Sequence, residues 1–373
     1  MNNNCGIYVH IPFCKARCGY CAFSSCCDYG LQEAYFAKLY EEIDRYSDPQ
    51  ASISTVYLGG GTPSSVDTKY LDGLFARLRG RFDLSRATEV SVECNPESVT
   101  DGLLACLAEN GVNRLSFGLQ SVNDATLARI GRIHRYDDFV RALELARKHG
   151  FDNVNADLIL GLPESESDFR RSVETAANLP LAHVSVYALE LHDGSPLCRL
   201  CKEQYPYTDD QLADMYDCAV DTLAACGFTR YETSNFARAG RRCRHNLNYW
   251  TEGRYYAFGA AASGFVGNVR YTNPFSVADY LSTPTERLHV DCQTLSIGEQ
   301  ANEFVMLGLR LDDGVSLAEF ADRYGCEFFH FFPNASTLAE RGFLAVERGF
   351  VKLPTDKVYV ANSILCELLT DIS

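Results

Sequence analysis

Gly6-Ile7-Tyr8-Val9-His10-Ile11-Pro12-Phe13-Cys14-Lys15-Ala16-Arg17-Cys18-Gly19-Tyr20-Cys21 is the stretch on which the fold turns. Its first six residues have the β-branched and aromatic character of a buried strand, and Pro12 ends the run. Three cysteines then follow at once in a C-x3-C-x2-C spacing. A strand that empties straight into three thiols sets a metal-binding loop at a strand's C-terminal end. The same rhythm repeats outward from it. Strand-like runs at Thr55 to Leu58, Glu89 to Glu93, Arg114 to Phe117, Val154 to Ile159 and His183 to Leu189 alternate with helical periodicity. The helical stretches are Leu31 to Tyr46, Tyr70 to Arg79, Leu103 to Asn110, Phe139 to His149 and Asp168 to Asn178. Repeated strand-then-helix order predicts an α/β fold with a parallel sheet and right-handed crossovers, either a barrel or a doubly wound sheet. Six units fall short of a full eightfold barrel.

Three thiolates can hold three irons of a cubane and leave the fourth iron open to chemistry. Zinc is the rival occupant, with Cys26 or Cys27 as a fourth ligand. The other strand ends bear on the choice, because a parallel barrel gathers its functional groups on the loops after its strands. Strand two ends in Gly59-Gly60-Gly61-Thr62-Pro63, where missing side chains allow close backbone approach. Strand three ends in Glu93, strand four runs into Gln120, strand five carries Asp157, and strand six ends near Tyr187 and Glu190. Each of these ends is polar or bare.

Composition narrows the function. With 34 Lys+Arg against 49 Asp+Glu, the 373-residue chain has a formal net charge of −15, which argues against a nucleic-acid partner. Its 46% apolar residues suit a folded protein. The longest uncharged apolar stretch, Tyr255 to Gly267, is 13 residues, short of the roughly 20 that span a bilayer. Met1-Asn2-Asn3-Asn4-Cys5 has neither a basic nor an apolar leader segment, so a cytosolic location is expected. The 16 cysteines are then free thiols, and Cys94, Cys106, Cys218, Cys226, Cys326 and Cys366 read as small core residues. After Leu189 the rhythm changes. Residues 191–295, with a long helix at Asp209 to Ala225, read as a layer over the barrel mouth. Residues 296–373 have a winged-helix outline. That last segment carries 12 acidic and 6 basic residues, unlike a phosphate-contacting module.

Tyr8-Val9-His10-Ile11-Pro12-Phe13-Cys14, Gly59 to Pro63, Gly118-Leu119-Gln120-Ser121 and Asp157-Leu158-Ile159-Leu160-Gly161-Leu162-Pro163 together resemble the radical S-adenosylmethionine (SAM) superfamily, in its HemN-like branch. The resemblance implies an incomplete (β/α)6 barrel over residues 1–190, followed by a HemN-type C-terminal α+β module. It implies a 4Fe-4S cluster on Cys14, Cys18 and Cys21 whose open iron chelates SAM, with one-electron reduction releasing a 5′-deoxyadenosyl radical. By the same similarity Tyr8, Tyr20, Gly60, Gly61, Thr62, Glu93, Gln120, Arg132 and Asp157 line the SAM pocket. Those residue types suit the ligand's groups, with glycines beside the methionyl ammonium, arginine for its carboxylate, acids for ribose hydroxyls and Tyr20 against adenine.

Oxygen-independent coproporphyrinogen dehydrogenases of this branch carry a further cysteine where this chain has Phe23, which argues against porphyrinogen decarboxylation. Cys243-Arg244-His245-Asn246-Leu247-Asn248-Tyr249-Trp250 contains H-N-x-x-Y-W and is similar to the haem-binding motif of the HemW haem chaperones. Tyr231 to Phe236 and Phe258 to Ala262 match that family too. The resemblance therefore implies haem held by His245, Asn246, Tyr249 and Trp250. His245 is the expected iron ligand and Cys243 the second candidate, on flat apolar surface from Tyr249 and the chain's only tryptophan. His10 is expected only to orient the loop. The implied partners are haem, apo-haemoprotein clients of the respiratory kind and an unidentified electron donor, with transient membrane association through clients and a homodimer left open. Two other readings stand beside this one: a radical SAM catalyst of the coproporphyrinogen dehydrogenase type, and a zinc-stapled scaffold.

Overall fold

The structure is a computed structural model, described here over residues 5–201 and 205–369. Strands β1 (Cys5–Ile11), β2 (Ile53–Gly60), β3 (Glu89–Cys94), β4 (Arg114–Gln120), β5 (Val154–Leu160) and β6 (His183–Ala188) pair in parallel in sequential order. Between them run helices α1 (Gln32–Tyr46), α2 (Thr68–Arg81), α3 (Asp101–Glu109), α4 (Asp124–Arg129), α5 (Tyr136–Lys148) and α6 (Glu166–Asn178). This is the expected six-stave α/β arc. Each helix turns a stripe to the sheet at helical spacing, as α5 does with Phe139, Ala142, Leu143 and Ala146. Side-chain oxygens of Thr100 and Ser165 cap α3 and α6.

Side chains alternate along each strand with period two, and here the alternation separates chemistry. Val56, Leu58, Val90, Val92, Leu115, Phe117, Ala156, Leu158, Val184 and Val186 face the helices in one apolar core. The opposite set faces the lumen and is polar almost throughout. Its lowest layer is Gly6, Thr55, Glu89, Arg114, Asn155 and His183. Tyr8, Tyr57, Ser91, Ser116, Asp157 and Ser185 lie above, and His10, Gly59, Glu93 and Gly118 form the rim. A barrel filled with branched apolar residues would have no such lumen.

The middle segment departs from expectation. Helices α7 (Pro196–Cys201) and α8 (Asp209–Ala225) are followed by β7 (Thr229–Arg230), β8 (Asn235–Ala237), α9 (Arg244–Trp250), β9 (Arg254–Phe258), β10 (Ser263–Val266), β11 (Val269–Thr272), α10 (Val277–Ser282) and β12 (Asp291–Thr294). Instead of a layer over the mouth, these strands extend the barrel sheet on both edges. β9 pairs in parallel with β1, and β8 runs antiparallel to β6, in the order β12-β11-β10-β9-β1-β2-β3-β4-β5-β6-β8-β7. The strands hold two to five residues each, too short to announce a period, and the pairing is set by tertiary contact. Beyond residue 296 a second core gathers around Phe304, Phe320, Phe328, Phe332 and Val351. It belongs to α11 (Ile297–Gly308), β13 (Val315–Ser316), α12 (Leu317–Tyr324), α13 (Phe328–Phe331), α14 (Asn334–Glu340), β14 (Ala345–Glu347), β15 (Phe350–Lys352) and α15 (Ala361–Leu368), with the strands ordered β13-β15-β14.

Candidate cofactor site and barrel floor

The cysteine loop leaves the top of β1 and returns to it. Cys14 N donates to Cys26 O (3.0 Å) and Cys26 N donates to Pro12 O (2.8 Å), closing the loop against Phe13. His10 Nε2 bonds Ser24 O at 2.9 Å, and its Nδ1 bonds the Tyr8 hydroxyl at 3.0 Å. His10 therefore orients the loop. On the far side Gly19 N donates to Ile130 O (2.8 Å), and Leu197 N from α7 donates to Gly19 O (2.9 Å). Cys14, Cys18 and Cys21 are free and only partly covered. Burial pushes the Cys14 thiol up to about 11, with the neighbouring thiols adding to the shift. A metal must displace that proton.

One polar chain ties the thiols to the next strand ends. Thr62 Oγ1 donates to Cys14 Sγ (3.4 Å), Asn95 Nδ2 donates to Thr62 Oγ1 (3.1 Å), and Arg132 Nη2 donates to Asn95 Oδ1 (2.8 Å) and Gly118 O (2.7 Å). Arg132 Nη1 points at Cys18 Sγ (3.6 Å), so a guanidinium lies against one of the three loop thiols. This donor set, three thiols with a cation and hydroxyl at their edge, fits an anionic iron-sulfur cluster carrying an amino-acid ligand. Among the described residues no group of three or more His, Cys, Asp or Glu is gathered closely around one point, the three loop thiols included.

The glycine run works mainly by packing. A Cβ on Gly60, whose φ is +110°, would lie 2.5 Å from the His10 ring, and one on Gly61 would lie 2.5 Å from the Pro12 carbonyl carbon. The backbone donors here are spent within the protein: Gly60 N on Glu93 Oε2 (3.0 Å), Gly61 N on Ile11 O and Thr62 N on Phe13 O, both 2.8 Å. That suits a ligand group that is itself a donor, such as an ammonium. Glu93 also accepts from Tyr57 Oη (2.8 Å), and burial, with Asp157 adding, pushes its carboxyl up to about 7. Asp157 accepts from Asn155 Nδ2 (2.8 Å) and Ser116 Oγ (3.4 Å) one layer deeper, and burial raises it too. Gln120 takes a left-handed turn (φ +69°) at a bulge closing β4, which brings its amide over Gly118. Tyr20 packs on the apolar cluster of Ile130, Ile159, Leu162, Leu197 and Cys201. Tyr8 stacks on Tyr57. The expected cluster and SAM residues thus share one end of the barrel, and Asn95 and Tyr57 join them. Asn95 reads in sequence as a turn residue before Pro96, and Tyr57 as an ordinary strand aromatic.

The opposite end is closed by α9. Glu89 accepts from Arg244 N (2.9 Å), His245 N (3.0 Å) and the Cys243 thiol (3.5 Å), a carboxylate placed on the helix's free N–H groups. The His245 ring enters the lumen at 1% exposure. Its Nδ1 bonds Thr55 Oγ1 and its Nε2 bonds Tyr249 Oη, both at 2.8 Å. Burial, with Arg114 adding, lowers its pKa to about 3. Both nitrogens of the ring expected to ligate haem iron are thus engaged within the protein, and the ring is buried. Cys243 is fully buried, with its thiol pushed up to about 12. Asn246, Tyr249 and Trp250 are half-buried on the same short helix. The motif residues lie together on one short helix, and what the sequence cannot show is that the histidine points into the barrel.

A family model described as the radical SAM superfamily matches residues 8–176, and one described as the HemN C-terminal domain matches residues 295–355. The heme chaperone HemW of Bacillus subtilis is 34% identical over 381 aligned residues, spanning 98% of this chain and 99% of its own. That of Lactococcus lactis is 35% identical over 372, spanning 98% and 97%. That of Mycobacterium tuberculosis is 37% identical over 325, spanning 84% and 83%. The fold superposes on coproporphyrinogen III oxidase (HemN) of Escherichia coli with a TM-score of 0.86 at 21% identity, over 98% of this chain and 90% of that one. The chain belongs to the radical SAM superfamily, HemN-like branch, and within it to the family of the HemW proteins.

Proposed function

We propose that this protein is a radical SAM haem chaperone, which accepts haem and hands it to apo-haemoproteins of the respiratory kind while carrying a 4Fe-4S cluster and SAM. The observation that carries the reading is the retention, along a chain matched end to end by HemW relatives, of a three-thiol loop wired to Arg132 through Thr62 and Asn95. When bound, the cluster supplies an electron for reductive cleavage of SAM. Cys14, Cys18 and Cys21 hold it, Arg132 pairs the methionyl carboxylate, and Glu93 and Asp157 accept from the ribose.

For the haem itself, Phe23 and Phe275 offer a surface. They are 67% and 66% exposed, and Ser24 Oγ donates to Phe275 O (2.6 Å), which joins the two segments beside the cluster loop. A porphyrin laid there covers apolar surface that water otherwise meets. Phe23 also occupies the position where coproporphyrinogen dehydrogenases place a cysteine, so turnover of that substrate is not expected. No helix among the described residues is long and apolar enough to cross a membrane, and we assign a cytosolic place with contact to membranes made through clients.

The test is anaerobic reconstitution with iron and sulfide followed by haem titration. A reducible cluster and a haem Soret shift are expected, with haem then passing to an added apo-haemoprotein. Decarboxylation of coproporphyrinogen III with matching release of 5′-deoxyadenosine would replace this reading with the enzymatic one.

A further inference from the structure

The H-N-x-x-Y-W helix closes the barrel floor, and its surroundings there give its histidine a structural task. His245 fills a slot with no slack: a Cβ on Gly6 of β1 would lie 3.2 Å from its Cε1 and 3.1 Å from Thr55 Oγ1. The ring lies parallel to Tyr57, with centroids 5.0 Å apart and planes at 21°. On the other side Tyr57 meets Tyr8, at 6.3 Å and 25°. Tyr57 is thus held in a three-ring stack, and its hydroxyl reaches up to Glu93 Oε1. Glu93 in turn holds Gly60 N at the rim of the cofactor pocket. Arg114, 2% exposed, projects into the same lumen with Nε and Nη1 unpartnered, so the floor groups share a buried positive charge. Next to that charge a neutral imidazole is favoured, and a neutral ring can engage both neighbours while lying flat on Tyr57.

We infer that His245 is a positioning residue of the SAM pocket: from the barrel floor it seats Tyr57, and Tyr57 holds Glu93 in place for the ribose. The inference rests on the reading that SAM occupies this end of the barrel. Removing the ring under Tyr57 frees the phenol to turn, and Glu93 then loses the donor that fixes its outer oxygen. With the ribose acceptor no longer fixed, SAM affinity should fall about tenfold.

The test uses the full chain, reconstituted anaerobically, with two readouts: the change in the reduced cluster's paramagnetic resonance spectrum on adding SAM, and the haem Soret titration. Tyr57→Phe, which keeps the stack and removes the hydroxyl, should need about tenfold more SAM with cluster content and haem titration as in wild type. His245→Ala should behave the same way. His245→Phe puts a ring back under Tyr57, so it should need less SAM than His245→Ala for the same spectral change. A Tyr57→Phe protein with wild-type SAM response overturns the inference, as does a His245→Ala protein with wild-type SAM response. If wild type itself ignores SAM, the pocket reading fails first and takes the inference with it.

Discussion

Glu42 allows a prediction worked through from geometry. It lies on α1 with no exposed surface, and its carboxylate accepts from Gly259 N (2.8 Å), Tyr280 Oη (2.6 Å) and Asn273 Nδ2 (2.5 Å). Those three donors belong to the segment around β9 to α10, so this one side chain pins the added sheet edge to the first helix of the barrel. Burial outweighs the donors and raises its pKa from an ordinary 4.5 to about 7. The folded state therefore keeps a proton that the unfolded chain releases between those values. The sign follows: stability from this group is fully present below pH 4.5 and is lost as pH climbs through 7, by about 3 kcal/mol in all. Glu42→Gln removes the titration. It also sets an amide N–H against Asn273 Nδ2, at a cost of about 1 kcal/mol, and Asn273 cannot relieve it by flipping because its Nδ2 also donates to Gly259 O. The variant should be slightly less stable than wild type at about pH 5 and about 1–2 kcal/mol more stable at about pH 8.5. Urea unfolding of the metal-free protein at several pH values, read as the difference between the two proteins, cancels the other groups. A difference that stays constant across pH would refute the reasoning.

Four further outcomes follow from the site. Cys14→Ala should abolish the iron-dependent visible absorbance after reconstitution while leaving far-UV circular dichroism unchanged, since the loop is also held through Cys26 and Ser24. Gly60→Ala puts a Cβ into the His10 ring at a left-handed φ, a cost of about 2 kcal/mol or more that should appear as a lowered unfolding midpoint and a poorly retained cluster. Arg132→Lys, unable to reach Asn95, Gly118 and Cys18 together, should weaken SAM binding by about tenfold or more in calorimetry, with cluster content kept. Paired Phe23→Ser and Phe275→Ser changes should weaken haem binding in the Soret titration while sparing the SAM response.

The barrel is legible in the sequence because its strands carry their outward apolar faces in plain alternation. Val56 and Leu58, Leu115 and Phe117, Ala156 and Leu158 mark the staves. The cluster loop is legible because thiol spacing survives as linear sequence. Asn95 is not, since the nitrogen and oxygen of its side-chain amide join Thr62 to Arg132 across three strand ends, a relation that no local pattern carries. The strands at the sheet edges are too short to show a period. His245 stands out in the sequence, but its surroundings do not: a helix of seven residues has too little periodicity to reveal which side faces inward, and its partner Glu89 stands 156 positions away.

The floor also imposes an order of assembly. Every stave is complete by Ala188, yet the piece that stops the lower opening is made more than fifty residues later. Arg244 to Trp250 cover Glu89 on that side and put the His245 ring against Tyr57, so the stack beneath Glu93 takes its base from the second half of the chain. On the reading proposed above, a fragment cut where the strand-helix alternation ceases would hold all three cysteines and should still grip SAM more weakly than the full chain. In this chain the first half of the gene product is finished by the second.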